Sequence, residues 1–251
     1  MSLKNNKNLF DFDKIRRCEE RSDAAIQENG VELPDCVLNN TIIIGTDEAG
    51  RGPGAGGVFA SAVYFPSLDK KLIKKLSSLN DSKKLSKKVR EELFEVIIKN
   101  SIHSTVLIEV AEIEEINILN ASLKAMKLAC ENVINEVNLN SQLTAHSSQF
   151  TILVDGNKLI KQFEYPQEFV IKGDSKSASI AAASILAKVS RDLYMQELDA
   201  KFPQYNWKNN SGYLTKQHLA AIDEFGITSI HRKTFLRKHF EKKNTIQLNL
   251  N

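Results

Sequence analysis

Residues 41–57 read TIIIGTDEAGRGPGAGG, an apolar run that meets two adjacent carboxylates and then five glycines within residues 50–57. The run reads as a buried strand, and the glycines demand that it stop abruptly. Successive side chains on a strand point to opposite faces, so Asp47 and Glu48 cannot share a site in mid-strand. A glycine turn beginning at Gly50 frees one or both to point past the strand end.

The remaining pattern builds around that strand. After 41–47, the stretch 57–65 (GVFASAVYF) predicts a second strand close behind and an antiparallel pair. Ser86 caps a helix running to about Lys99, with Val89, Leu93, Val96 and Ile97 on one face. Residues 104–111 predict a third strand, and 112–138 a helix broken near Asn117. Residues 150–155 and 168–172 predict strands four and five, and a long helix follows over 175–202. Early consecutive strands followed by strands separated by helices describe an α/β fold with a mixed five-stranded sheet flanked by helices. With 251 residues and 42% apolar content, the chain can bury a real core. Residues 1–40 are polar and charge-dense, and are expected to be a mobile extension. The core is expected over 41–202, and a helical C-terminal segment with a flexible tail over 203–251.

Acidic residues gather where ligand sites of open α/β sheets gather, at strand ends. Asp47 and Glu48 close strand one, Asp155 closes strand four before Gly156, and Asp174 follows Gly173 just past strand five. Each alone has an ordinary reading: a helix cap for Asp174, a turn residue for Asp155, a solvated pair for Asp47 and Glu48. Jointly they form an oxygen-only ligand set. Crowded carboxylates repel, and divalent cations relieve that repulsion, with magnesium or manganese favoured over zinc. Two such ions about 4 Å apart would clamp the attacking and leaving oxygens of a phosphodiester. Asp192 is a contrast: on a continuous helix it would stand about 27 Å beyond Asp174, and Lys188, four residues before it, offers an ion pair.

Other classes fall away. The glycine loop lacks the Gly-Lys-Ser or Gly-Lys-Thr ending of a mononucleotide loop, and a strand rather than a helix follows it. No Ser/His/Asp or Cys/His constellation is visible. Cys18, Cys36 and Cys130 are odd in number and widely spaced, as expected of free thiols in a reducing cytoplasm. The five histidines lack ligand spacing. No apolar run approaches the roughly 20 residues of a spanning helix, and the N-terminus has no signal-peptide stretch. A net charge of +3 permits a nucleic-acid partner without demanding one.

The stretches DEAGRGP, NDSKKLS, VDGN, KGDSKSASIAAASILAKVSRD, GYLTKQHL and HRKTF occur in the order seen in ribonuclease HII, the bacterial type 2 ribonuclease H. The resemblance runs from about Ile42 to His239. It implies a ribonuclease H-like fold, hydrolysis of RNA paired with DNA, cutting at single ribonucleotides in duplex DNA, and two divalent ions. Asp47, Glu48, Asp155 and Asp174 match the metal-binding acids. Type 3 enzymes usually carry Gly-Thr-Gly where this chain has Gly50-Arg51-Gly52, which favours type 2. Gly54, Gly57 and Thr234 depart from the usual leucine, proline and serine.

Under that resemblance Gly50 and Gly52 let main-chain amides approach a sugar, Arg51 reaches its 2′-hydroxyl or a phosphate, and Tyr213 stacks on the neighbouring sugar. Lys83 and Lys84 meet phosphates as point charges, or else lie in a solvated loop. Trp207 and Tyr205 are read as an aromatic cluster beneath the C-terminal segment. Residues 247–251 (QLNLN) resemble short peptides that bind bacterial sliding clamps, though the usual final aromatic is missing. A monomer is expected. Another nuclease or strand-transfer enzyme of related fold, or a non-catalytic hybrid-binding module, are the competing readings.

Overall fold

A computed structural model describes residues 9–14, 41–79, 82, 85–140 and 150–248. β1 (Ile42–Ala49) is the middle strand of a five-stranded sheet ordered β3-β2-β1-β4-β5. β2 (Val58–Tyr64) and β3 (Ile102–Ile108) continue from it as an antiparallel meander, pairing Gly45 with Val63 and Val58 with Ile108. β4 (Phe150–Asp155) and β5 (Gln167–Val170) lie parallel to β1 on its other side, with Thr46 opposite Val154. A parallel neighbour requires a crossover, and helices supply it.

The expected third strand over 104–111 ends at Ile108, because Val110 already belongs to helix α4 (Val110–Ile116). Val110 and Ile113, three apart, bury one face of that helix. The break near Asn117 is present. Asn117 adopts φ 67°, and its side-chain carbonyl accepts the N–H groups of Leu119 and Asn120, starting α5 (Ile118–Asn140). α5 lays Met126, Ala129, Cys130, Val133 and Ile134 on Ile44, Val58, Ala60, Ile152 and Val154. Burial pushes the Cys130 thiol up to about 12, so it is an inert core group.

The long helix α6 (Ala178–Lys201) covers the opposite face. It starts later than the expected residue 175: Ser177 is its N-cap, and residues Gly173–Ser175 form a separate 3₁₀ turn. Ala181, Ala182, Ala183 and Ser184 are buried, and this small-residue stretch lets α6 approach β1 closely. A Cβ at Gly45 would lie 2.3 Å from the Ile180 nitrogen. α2 (Lys70–Lys75) and α3 (Lys87–Asn100), capped by Asp69 and Ser86, pack their leucines beside α6.

Part of the stretch expected to be mobile is held in place. Residues 9–14 form a helix, α1, with Leu9 and Phe10 buried against the α6 side of the sheet. Asp13 accepts the main-chain N–H of Ser179 at 2.9 Å and its hydroxyl as well. Residues 1–8 and 15–40, with Cys18 and Cys36, lie outside the described residues.

Beyond α6, the chain forms α7 (Trp207–Asn210), α8 (Lys216–Phe225) and α9 (Lys233–Leu248) around a buried cluster in which Tyr205 stacks on Trp207 at 4.9 Å. Gln247 and Leu248 therefore finish a helix and are not an extended peptide; helical spacing is supported upstream by the Arg237–Glu241 pair. Residues 249–251 lie outside the described residues. No helix among the described residues is long and apolar enough to cross a membrane.

Two histidines sit in the aromatic cluster. Trp207 donates to His218 Nε2 at 3.0 Å, and His218 Nδ1 faces the Tyr213 carbonyl at 2.9 Å. His231 Nδ1 accepts the Thr228 N–H, which directs its Nε2 toward His218 Nε2, 3.2 Å away. This network assigns both rings as neutral. Burial lowers both, His231 to about 4. Below about pH 6.5 the unfolded chain therefore binds protons that the folded chain refuses. The contribution of these two rings is complete above that pH and falls as pH drops toward 4, opposite in sign to that of Asp47, whose carboxyl is raised. Relative to His231→Asn, the urea midpoint of the unaltered protein is expected to lose ground through this window; equal slopes would remove His231 as a source.

Candidate active site

Register decides which acids meet. Ile43 packs toward Ile180, Gly45 abuts Ser179 and Ile180, and Asp47 follows at the same two-residue spacing, so these alternate residues face α6. On β4, Leu153 shares that face with Ile43, and Asp155 follows two residues later. Thr46 and Val154 are the last paired residues of β1 and β4. One step further, Asp47 and Asp155 stand side by side on the same face at the sheet rim. Asp155 Oδ1 accepts the Gly173 N–H at 2.7 Å, drawing in the 3₁₀ turn that carries Asp174. Glu48, at the end of β1, pairs through Oε1 with Arg51 at 3.1 Å.

The Asp47 carboxyl is buried and raised well above the usual carboxylate range, first by burial and then by the charges of Glu48 and Asp155. The Glu48 N–H at 2.7 Å and the Ser184 hydroxyl oppose that shift without cancelling it. Ser184 is itself held by Ser82, oxygen to oxygen 2.9 Å. Among the described residues, no three His, Cys, Asp or Glu side chains already form a completed ligand group. The rim nevertheless fits a divalent cation, since its donors are all oxygen and the mutual repulsion felt at Asp47 is what a cation relieves. Asp192 is apart, paired with Lys188 at 2.5 Å and 4.0 Å from Arg90. The straight-helix distance expected from Asp174 does not apply, because Asp174 precedes α6.

The glycine loop borders this rim. Gly50 has φ 103°, a conformation that favours glycine, and leads into exposed Arg51 and Gly52. A Cβ at Gly52 would lie 3.3 Å from the Tyr213 ring, so glycine here admits the tyrosine against the main chain. Tyr213 is exposed, and the C-terminal segment holds its neighbours: the Gly212 carbonyl accepts the N–H groups of Gly54 and Ala55. Residues 54–56 also pair with 230–232, through Gly56 N to Ile230 O at 2.9 Å and Arg232 N to Gly54 O at 2.8 Å. Asp47, Glu48, Gly50, Arg51, Gly52 and Tyr213 thus converge, with Asp155 and the Asp174 turn beside them. Lys83 and Lys84 lie outside the described residues.

Sequence reasoning missed the supports. Ser82, which holds Ser184, and the buried Arg191 and Arg232 beneath the glycine loop received no role, and Ser184 was read only as a small residue that lets the long helix pack on the sheet. The available signals were the stretches that carry them, NDSKKLS for Ser82, KGDSKSASIAAASILAKVSRD for Ser184 and Arg191, and HRKTF for Arg232, noted for resemblance alone.

The fold has known counterparts. Ribonuclease H2 from Pyrococcus horikoshii superposes with a TM-score of 0.58 at 26% identity, over 80% of this chain and 98% of that one. The Mn2+ complex of Bst-RNase HIII shares the fold at a TM-score of 0.55 and 16% identity, covering 83% of this chain and 70% of the other. The protein is of the ribonuclease H-like α/β class. A family model described as Ribonuclease HII matches residues 44–243. The ribonuclease HII of Pelagibacter ubique is 50% identical over 195 residues, covering 77% of this chain and 95% of that protein. That of Fusobacterium nucleatum is 43% identical over 217 residues, covering 86% and 94%. The chain belongs to the ribonuclease HII family, and is a nuclease of the ribonuclease H type.

Proposed function

We propose that this protein is an endonuclease that hydrolyses the RNA strand of RNA–DNA hybrids and cuts at single ribonucleotides embedded in duplex DNA, leaving 3′-hydroxyl and 5′-phosphate ends. The observation that carries this reading is the junction of two features at one strand end: Asp47 and Asp155 side by side at the rim, and the Gly52 main chain against the Tyr213 ring. Asp47, Glu48, Asp155 and Asp174 would hold two divalent ions, magnesium or manganese. When bound, such ions neutralise phosphate charge and stabilise the attacking and leaving oxygens of a phosphodiester.

The chain's own groups do the positioning. Gly173 fixes the Asp155 carboxylate through its N–H, and the Glu48 N–H orients that of Asp47. Arg51, its side chain half exposed while paired to Glu48, would meet a phosphate or a sugar hydroxyl. The missing side chain at Gly52 leaves room beside the Tyr213 ring, while that at Gly50 leaves room for Arg191 beneath the loop; the main-chain amides would reach the 2′-hydroxyl, the group that separates RNA from DNA locally. The Tyr213 ring packs on the sugar to the 3′ side, where a second hydroxyl fits poorly.

Cleavage of a duplex carrying one ribonucleotide tests the assignment, and no cleavage with either magnesium or manganese would sink it. Tyr213→Ala is expected to lower cleavage of that duplex about tenfold and to affect long hybrids much less, while Tyr213→Phe keeps the ring and loses less. Equal losses on both substrates would reduce Tyr213 to a fold support. The Archaeoglobus fulgidus ribonuclease HII, 26% identical to this chain with a TM-score of 0.57 over 76% of it and 93% of that chain, was solved with PCNA. That supports a sliding clamp as a partner class, with the C-terminal end of the chain as the contact.

A further inference from the structure

Arg232 is fully buried, yet its described hydrogen bonds all go to main-chain carbonyls of one loop. Its Nε donates to Gly56 at 2.9 Å, Nη1 to Arg51 at 3.2 Å, and Nη2 to Gly50 at 2.7 Å and Gly57 at 3.1 Å. Its guanidinium also faces the Phe235 ring, 5.3 Å to the centroid. Burying a guanidinium is costly, and the fold has spent all these donors on a loop that has few side chains to hold itself.

The direction of those carbonyls has a consequence. No described peptide bond is cis, and in a trans peptide the C=O and the N–H point opposite ways. The Gly50 carbonyl shares a peptide unit with the Arg51 N–H, and the Arg51 carbonyl with the Gly52 N–H. With both carbonyls turned inward onto Arg232, the Arg51 and Gly52 N–H groups are turned outward. Both residues are exposed, and neither N–H has a protein partner among the described residues. Arg191 braces the same loop from its other end, through the carbonyls of Ala55, Gly57 and Ser211, and leaves those two peptide units to Arg232.

We propose that Arg232 is a positioning residue for ribonucleotide recognition: it locks the 50–51 and 51–52 peptide units so that the Arg51 and Gly52 amides face the 2′-hydroxyl before substrate arrives. This rests on the reading of that loop as the sugar-recognition element. A guanidinium suits the task because its planar fork reaches several carbonyls at fixed angles, whereas an ammonium is a point donor. Donors fixed in advance need no reorganisation on binding.

The test is Arg232→Lys in the full chain, which keeps the charge and removes the fork. Cleavage of a duplex with one ribonucleotide is measured in competition with an otherwise identical all-DNA duplex, giving the ratio of the DNA inhibition constant to the ribonucleotide KM. Losing one or two aligned hydrogen bonds is expected to lower that ratio about tenfold, by raising KM while the DNA constant stays put. A lower kcat with an unchanged ratio would make Arg232 a fold support and overturn the proposal. A ratio near one in the unaltered enzyme would overturn both the recognition reading and the role of Arg232; a high ratio there that survives in the variant overturns only the latter. Should the variant not fold, amide exchange on the unaltered protein decides: the Arg51 and Gly52 amides are expected to exchange freely alone and to be protected by the ribonucleotide duplex but not by the all-DNA duplex. Protection already present in the free protein would contradict outward-facing amides.

Discussion

Asp155→Asn is expected to lose about a hundred- to a thousandfold in cleavage rate while melting no lower than the unaltered protein. The two halves of that result have separate causes. An asparagine keeps an oxygen where Asp155 Oδ1 accepts the Gly173 N–H, so the contact between the β4 end and the Asp174 turn survives. It also removes one of the charges that raise Asp47, which relieves the folded state. The same lost charge is what would hold a divalent ion, so catalysis suffers where stability does not, a trade typical of crowded acidic sites. Asp47→Asn is expected to behave alike. Asp192→Asn, whose partners are Lys188 and Arg90, is expected to keep substantial activity. Rate assays at low magnesium beside thermal melts check all three; near-normal cleavage by Asp155→Asn would end the assignment of the rim as the catalytic centre.

The largest expected effect on stability is from one methyl group, in Gly45→Ala. An added Cβ would lie 2.3 Å from the Ile180 nitrogen and 2.4 Å from the Ser179 carbon, both main-chain atoms of α6. Nothing flexible is there to move aside. Nor can β1 retreat, because Gly45 is paired with Val63 on one side and Leu153 on the other. The helix must lift off the sheet, and the Ile43, Leu153 and Ile180 contacts loosen with it. Overpacking of this kind costs about 3 kcal/mol, which lowers Tm by about 10 °C in a chain of this size. Because Asp47 lies two residues along the same face, activity below the transition should fall too. An unchanged Tm would show that α6 and β1 are not in such close contact.

How far these features could be read in advance depended on how local their causes are. β1, β2 and β4 carry their own apolar runs, and the acids at the ends of β1 and β4 are flagged by neighbouring glycines, so the juxtaposition of Asp47 and Asp155 at one rim was legible from the sequence. The end of β3 was not, because Val110 and Ala111 suit strand and helix equally until Ile113 is seen burying beside Val110. α1 was invisible for a different reason: Leu9 and Phe10 are two apolar residues in a charged stretch, and only contact with α6, through an Asp13–Ser179 pair 166 residues apart, gives them a core to join. The Arg232 contacts with Gly50 span 182 residues and end on a carbonyl, a group every residue has. No spacing or residue type encodes such a partner.

The strand order also dictates how the chain can be assembled during synthesis. β1 is flanked by β2, which follows it within ten residues in the chain, and by β4, which begins only at Phe150. A growing chain thus has a complete β1–β3 meander while the other edge of β1 still has no neighbour, and α6, which covers that meander on one face, comes later again. For that interval the isoleucines at 42–44 sit on an open edge, the kind of surface to which other chains add strands. The carboxylates at 47 and 48, at the end of that edge, are charges of the kind that discourage such pairing, so the residues proposed for catalysis would also guard the unfinished sheet.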